Sequence, residues 1–291
     1  MTTTRPQSRT LGDLLDELAV ATPQAPALVS GTERLDFAAL KARTDGFARA
    51  LLALGIGRGD RVALLCSNRS EWVMVAGAAA KLGAPVAAIS TFSSPRELAY
   101  ALKHSGARAL VMLSRFRDRH FLQALGELCP ELAGCPPGAL QSAALPALRT
   151  VVVLDGDASP GTFGPAAFLA RGGGVDGAAL ARAQAAVTPD DICFILYTSG
   201  STAAPKGVTL AHGPLLANGF DIGERQHLMA EDRLWLAVPL FWAFGSANAM
   251  PAIMTHGGCM VLQEAFEPGS EERRVGKECM PVCRSRWSPY H

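Results

Sequence analysis

Apolar positions along the chain recur at two spacings, and the alternation between them predicts the architecture. From Leu11 to Ala19 they return every three or four residues, with Asp13, Asp16 and Glu17 on the other side, which predicts an amphipathic helix. Ala27 to Val29 and Arg34 to Phe37 read as two short strands joined by a turn at Gly31. A helix over Phe37 to Leu54 sets Leu40, Phe47, Leu51 and Leu54 opposite Lys41, Arg43, Asp45 and Arg49. Arg61 to Cys66 is the next strand. An Ala-rich helix follows from Ser70 to Leu82, its cap expected at Asn68 or Ser70. After the strand Val86 to Ile89, Ser94 opens a helix with Pro95 at its first position and Glu97 three residues on, a capping box. That helix runs to about His104, Gly106 ends it, and Ala109 to Leu113 is strand. Strands alternating with helices of about ten or more residues predict an α/β fold around a mostly parallel, covered sheet.

The middle of the chain is less regular. Cys129 to Leu148 is rich in Pro, Gly and Ala and reads as a surface excursion. Thr150 to Leu154 is strand, Asp155 to Gly177 a loop around a short helix, and Ala178 to Ala186 a small helix. Ile192 to Leu196 reads as a buried strand, His212 to Phe220 begins a helix, and Asp232 to Pro239 is strand. Ala247 to Met254 is an apolar helix, and Cys259 to Leu262 a last strand; no internal repeat is visible.

Composition narrows the class. The chain has 291 residues, 49% of them hydrophobic and 18% charged, which is globular and long enough for a substantial core. A net charge of +1 gives no electrostatic case for a nucleic-acid partner or an acidic membrane. Met1 to Thr10 has no apolar core of a secretory signal, and the apolar stretch from Val73 to Ile89 is interrupted by Lys81, Gly83 and Pro85. Seven cysteines, an odd and scattered set, fit a reducing compartment. The expectation is a cytoplasmic protein without a membrane span, of unspecified oligomeric state.

The stretch Tyr197-Thr198-Ser199-Gly200-Ser201-Thr202-Ala203-Ala204-Pro205-Lys206-Gly207-Val208 carries the chemistry. It leaves a buried strand, is rich in hydroxyls and glycine, and ends in one lysine between proline and glycine. Such a loop can turn backbone N–H groups, hydroxyls and an ammonium toward a polyphosphate. Its spacing is not that of a Walker loop: no second glycine precedes Lys206, and Gly207 stands where Ser or Thr would hold magnesium.

This loop resembles the phosphate loop of the adenylate-forming superfamily, which contains acyl-CoA synthetases, aryl-CoA ligases, luciferases and peptide-synthetase adenylation domains. Leu35-Asp36-Phe37-Ala38-Ala39-Leu40, Gly57 to Ala63, Asn68 to Trp72, Lys81 to Ala84, Glu97 to Tyr100 and Val208 to Asn218 are similar to family segments in the expected order. The resemblance spans roughly residues 11 to 268. It implies the layered parallel-sheet and helix N-terminal domain of that fold, and an acid–thiol ligase. A carboxylate would attack the α-phosphate of ATP, with Mg2+, and coenzyme A would then displace AMP. It places Thr198, Ser199, Gly200, Ser201, Thr202, Lys206 and Gly207 around the phosphates, with Thr198 and Lys206 in catalytic roles. Ala203 stands where the family usually has glycine. Pro239-Leu240-Phe241-Trp242 resembles the family's acyl-pocket segment, with Trp242 in place of a common histidine and expected to close or fill part of the pocket. Phe241 and Asn248, and more weakly Met250, are further candidates for that pocket. His212 is expected to pack below the loop. No residue is assigned to a metal.

The family's downstream adenine-binding, ribose-binding and lysine-bearing segments have no counterpart, so residues 1–268 are expected to be an incomplete adenylation domain, not competent alone. Ser270 to His291 is abruptly basic and aromatic and resembles translated sequencing adapter, so 269–291 is expected to be foreign read-through. A zinc site from Cys279, Cys283 and His291 is the functional alternative for that tail, short of a fourth ligand. For the whole chain the alternatives are an adenylation domain that loads a carrier protein and an inert nucleotide-binding remnant.

Overall fold

The periodic segments become helices and the short apolar runs become strands, in a computed structural model that describes residues 5–156, 159–198 and 205–264. Helix α1 (Leu11–Ala21) precedes β1 (Pro26–Ser30), β2 (Glu33–Asp36) and α2 (Phe37–Ala53). Strand and helix then alternate through β3 (Val62–Leu65), α3 (Ser70–Lys81), β4 (Val86–Ala88), α4 (Pro95–Ser105) and β5 (Ala109–Met112). A small hairpin, β6 (Arg115–Phe116) and β7 (Arg119–His120), leads to α5 (Phe121–Leu128), β8 (Thr150–Val153), α6 (Pro165–Arg171) and α7 (Gly177–Ala185). The remainder holds β9 (Ile192–Thr198), β10 (Lys206–Ala211), α8 (His212–Gln226) and β11 (Arg233–Leu236). A π-helical turn at Phe244–Ala249, α9 (Met250–Thr255) and β12 (Cys259–Leu262) complete the described chain.

Two sheets form. One runs β10-β9-β4-β3-β5-β8, parallel except where β10 turns back along β9, and the other runs β11-β12-β1-β2, parallel except at β1–β2. The side-chain alternation of a strand divides the interior. Val62 and Leu64 of β3 enter one core while Ala63 and Leu65 enter the other, and β5 sends Ala109 and Val111 against Leu110 and Met112. The larger core takes α1, α2, α3 and the four-stranded sheet; the smaller takes α4 and α5. Strands buried on both faces read as near-continuous apolar runs, which is why positions 62–65 and 151–153 show no polar alternation.

Helix α3 touches β1 of one sheet and β3 and β4 of the other, and its small residues allow that approach. At its end Lys81 is 1% exposed. Its ammonium lies 2.7 Å from Asp45 of α2 and also pairs with Asp16 of α1, and Lys41 joins both carboxylates. Gln184 of α7 donates to Asp13 at 2.8 Å and Asp16 at 2.9 Å. The polar faces of α1 and α2 therefore meet over a buried lysine. Burial acts to raise the Asp45 carboxyl, but hydrogen bonds from Lys41 and Lys81 outweigh it and hold the group below its usual range.

Three expectations change. The excursion between α5 and β8 buries Leu132, Leu140, Leu145 and Leu148 in the smaller core, and β6, β7 and α5 were not foreseen there. Helix α3 is capped by Arg69 with no side-chain bond. Asn68 is occupied elsewhere: its Nδ2 donates to Leu236 O at 3.1 Å and Val238 O at 2.9 Å, and its Oδ1 accepts from Leu240 N at 2.8 Å. The apolar helix near Met254 begins earlier, as the π-turn. Pro251 has no N–H for the Ala247 carbonyl, which accepts instead from Asn218 Nδ2 at 3.3 Å.

Candidate functional site

The strand that leads to the hydroxyl-rich loop runs two residues past Leu196, so Tyr197 and Thr198 are paired strand residues. Antiparallel register sets Thr198 opposite Lys206 and Tyr197 opposite Gly207. The two outermost residues of the loop's frame are thus direct neighbours across the hairpin, and both side chains are exposed. Lys206 has no carboxylate partner among the described residues. Ser199, Gly200, Ser201 and Thr202, with Ala203, lie outside the described residues. So do the tail from 269 and its Cys279, Cys283 and His291.

Helix α4 supports the hairpin from one face. It is fixed at both ends: Ser94 and Glu97 complete the expected capping box, and Gly106 closes the helix at φ 58°, in the left-handed region. From its last turns, Ala101 O accepts the Tyr197 phenol at 3.0 Å and His104 Nδ1 lies 3.3 Å from the phenol oxygen. Burial pushes the Tyr197 phenol up. Gly207 rests against His104, and a Cβ there would lie 3.2 Å from the imidazole Cε1 and 3.0 Å from Ile195 Cγ2. A side chain at 207 would therefore press on both neighbours and require them to shift by a few tenths of an ångström.

His212 is not below the loop. It lies at the other end of β10, six strand steps or about 20 Å from Lys206. It is fully buried, its Nδ1 accepts from Leu11 N at 3.3 Å, and its Nε2 has no partner among the described residues. Burial lowers its pKa to about 4, against the pull of Asp191 and Asp13. It is a neutral core histidine.

The residues expected at an acyl pocket do not share one place. A cavity of about 230 Å³ opens between α8, the end of β11 and the π-turn, lined by Ile222, Leu234, Leu236, Val238, Phe244 and Asn248 among others. Asn248 accepts from Asn218 Nδ2 at 3.1 Å, which orients its amide in an otherwise mainly apolar wall. Phe241 is buried and meets Phe92 edge-on at 5.7 Å. Trp242 is 47% exposed, stands 6.0 Å from Phe92, and does not line the cavity. Met250 is buried in the larger core. Periodicity did not reveal Asn68 or Asn218, although each holds backbone of this region.

Three further acidic residues have local partners. Asp155 accepts from Ser114, Asp191 pairs with Arg58 at 2.9 Å, and Asp232 accepts from Met229 N at 2.8 Å. Among the described residues no group of three His, Cys, Asp or Glu side chains could hold a metal, and no helix is long and apolar enough to cross a membrane.

A profile of the family described as AMP-binding enzyme matches residues 15–278. The chain belongs to that family. Within it, YngI of Bacillus subtilis is 33% identical over 273 residues, covering 92% of this chain and 49% of its own length. The bovine mitochondrial medium-chain acyl-CoA ligase ACSF2 is 34% identical over 279 residues, covering 93% of this chain and 45% of its own. The chain thus spans about half the length of the relatives it matches. The N-terminal domain of FACL13 from Mycobacterium tuberculosis superposes with a TM-score of 0.71 at 23% identity, over 92% of this chain and 60% of that one. The layered α/β fold expected from the sequence is the fold of this neighbour.

Proposed function

We propose that the chain carries the phosphate-holding part of an ATP-dependent ligase that activates a small carboxylic acid and passes the acyl group to coenzyme A. The observation that carries this reading is the register of β9 and β10, which sets Thr198 against an exposed Lys206, without a carboxylate partner among the described residues, at the mouth of a hydroxyl-rich loop. In the reaction a carboxylate oxygen attacks the α-phosphorus of ATP and the bond to the β-phosphate bridging oxygen breaks. Pyrophosphate leaves, and the acyl adenylate remains. The coenzyme A thiol then adds to the acyl carbon, loses its proton, and AMP departs as the thioester forms.

An anion attacking a polyanion needs preorganised positive charge and donors at the phosphoryl oxygens. Lys206 supplies the charge and Thr198 a hydroxyl. The loop residues Ser199, Gly200, Ser201 and Thr202 are proposed to complete the cradle with Gly207. Magnesium is proposed to arrive with ATP; the described residues offer no ligand set for it, and no step here passes through it. The cavity beside Asn248 is the proposed acid pocket; Phe241 and Trp242 are proposed as further pocket residues, although they pack on Phe92 outside its lining. A chain that spans half its relatives' length is proposed to be incomplete over 1–268, followed by a foreign tail, and not competent alone. The cytoplasm is the proposed compartment, in keeping with cysteines 66, 129, 135, 193 and 259 being free thiols.

The test is ATP–pyrophosphate exchange by this chain and by a completed gene, each with Lys206→Ala. Exchange is expected from the completed enzyme and not from the chain alone, and Lys206→Ala is expected to abolish most of it. Full exchange by the variant would remove Lys206 from the site. Robust exchange by the isolated chain would show that it is sufficient.

A further inference from the structure

The hairpin that frames the phosphate loop is held very differently at its two ends. At the far end, His212 N donates to Asp191 O at 3.1 Å and Gly213 N to Pro189 O at 2.8 Å, and Arg58 pairs with Asp191. At the loop end, Thr198 and Lys206 are exposed, and among the described residues β10 is an edge strand with β9 as its single neighbour. Burial therefore does not fix the two residues that the proposed function needs fixed.

Helix α4 provides what burial does not. The Tyr197 phenol donates to Ala101 O at 3.0 Å, which leaves its oxygen free to accept. His104 Nδ1, at 3.3 Å, then carries the hydrogen given to that oxygen. The imidazole is held in turn: it stacks on Tyr100 with ring centres 5.4 Å apart and meets the Tyr197 ring edge-on at 5.7 Å. Its Cε1 side abuts Gly207, the residue after Lys206. One exposed side chain thus touches both strands at the residues adjoining Thr198 and Lys206.

We infer that His104 is a positioning residue for the phosphate loop, acting through the Tyr197 phenol and the Gly207 backbone so that the last turns of α4 set where Thr198 and Lys206 present their polar groups. The inference rests on the proposed phosphate-binding role of the loop. It assigns His104 no contact with the reacting atoms.

The experiment measures binding of inorganic pyrophosphate to the full chain by calorimetry, alongside the thermal midpoint. Tyr197→Phe deletes one oxygen and keeps the ring; His104→Ala removes the imidazole; His104→Asn keeps a donor near the Nδ1 position. Tyr197→Phe and His104→Ala are each expected to weaken binding about three- to tenfold, the worth of one hydrogen bond. The double variant should lose no more than about twofold beyond the weaker single, because both act through one phenol. His104→Asn should recover most of the affinity. A merely structural role would lower the thermal midpoint without this coupling or rescue. Should Tyr197→Phe not fold, the two His104 variants decide alone. Lys206→Ala separates the outcomes: if it loses pyrophosphate while Tyr197→Phe and His104→Ala bind as wild type does, the positioning inference is overturned and the loop's role stands. If wild type does not bind, or Lys206→Ala binds equally well, the loop's role fails and the inference fails with it.

Discussion

Lys81 and Lys206 are the same residue in opposite circumstances. Lys81 is 1% exposed, with Asp16 and Asp45 against its ammonium and Lys41 and Gln184 completing the arrangement around those carboxylates. Lys206 is exposed at the first position of an edge strand, facing a hydroxyl and paired with no carboxylate among the described residues. A buried charge is tolerable only when the fold answers it completely, and an answered charge has nothing left for a ligand. The comparison separates scaffold from site more sharply than residue type or periodicity does.

The largest effect should come from removing the answered charge. Lys81→Ala leaves Asp16 and Asp45 with Lys41 but without the buried ammonium between them, and should cost about 3–5 kcal/mol in denaturant unfolding. Lys206→Ala in the same assay should stay within about 0.5 kcal/mol of wild type. Equal losses from the two would dissolve the distinction. Acid sharpens it. The Asp45 carboxyl is held below its usual range, so its contribution is present above about pH 4 and is lost as pH falls through the lower folded value. Asp45→Asn should remove that part of the acid transition.

The reverse holds for chemistry. In the completed enzyme, Lys206→Ala should slow single-turnover adenylate formation by about two to three orders of magnitude, the usual cost of one preorganised donor at a transition state. Unchanged adenylate formation would place Lys206 outside the reaction.

Most of the fold was legible because its elements follow local rules. The Ser94–Glu97 capping box, the Gly106 stop and the all-apolar parallel strands all appear where period and punctuation set them. What was not legible depends on contacts distant in sequence. The leucines between α5 and β8 look like a loop until β5 and α5 are there to cover them. Lys81 reads as a break in an apolar helix, because the acids that answer it come from α1 and α2. Within the site, Thr198, Lys206 and Gly207 could be named from the loop, but their register with β9 could not, and His104 carries no signal in its own segment. The cap expected from Asn68 failed because capping is a local preference and the amide found more backbone partners across the chain.

Asn68 gives the third test. Its amide bridges α3's entry and the segment that leads to Phe241 and Trp242. Asn68→Ala strands the Val238 carbonyl and the Leu240 N–H, while Leu236 O keeps its bond from Gln263 N, and should cost about 2 kcal/mol. Asn68→Asp keeps the acceptor for Leu240 N but cannot donate to Leu236 O or Val238 O, so it should be no better than alanine. A fully tolerated Asp would show that the Val238 carbonyl finds another partner.

His212 supplies the smallest and most specific test, since it extends the scaffold argument to a group that was expected to pack below the loop. A fully buried imidazole with Nδ1 accepting from Leu11 N is neutral, and its pKa is lowered to about 4 by burial. In the unfolded chain the same group takes a proton near pH 6.5. The folded-state value is the lower one, so this contribution to stability is intact above about pH 6.5 and declines as pH falls toward 4. By pH 5 the loss should be about 2 kcal/mol. His212→Asn offers Leu11 N an acceptor in the Nδ1 position and cannot titrate, so its stability should be flatter than wild type between pH 7 and 5. Pyrophosphate binding at pH 7.5 should be the same in both proteins, because about 20 Å of β10 separates position 212 from Lys206. A parallel pH dependence in the two proteins would mean that His212 is charged in the fold. Lost pyrophosphate binding in a stable His212→Asn would return the residue to the site.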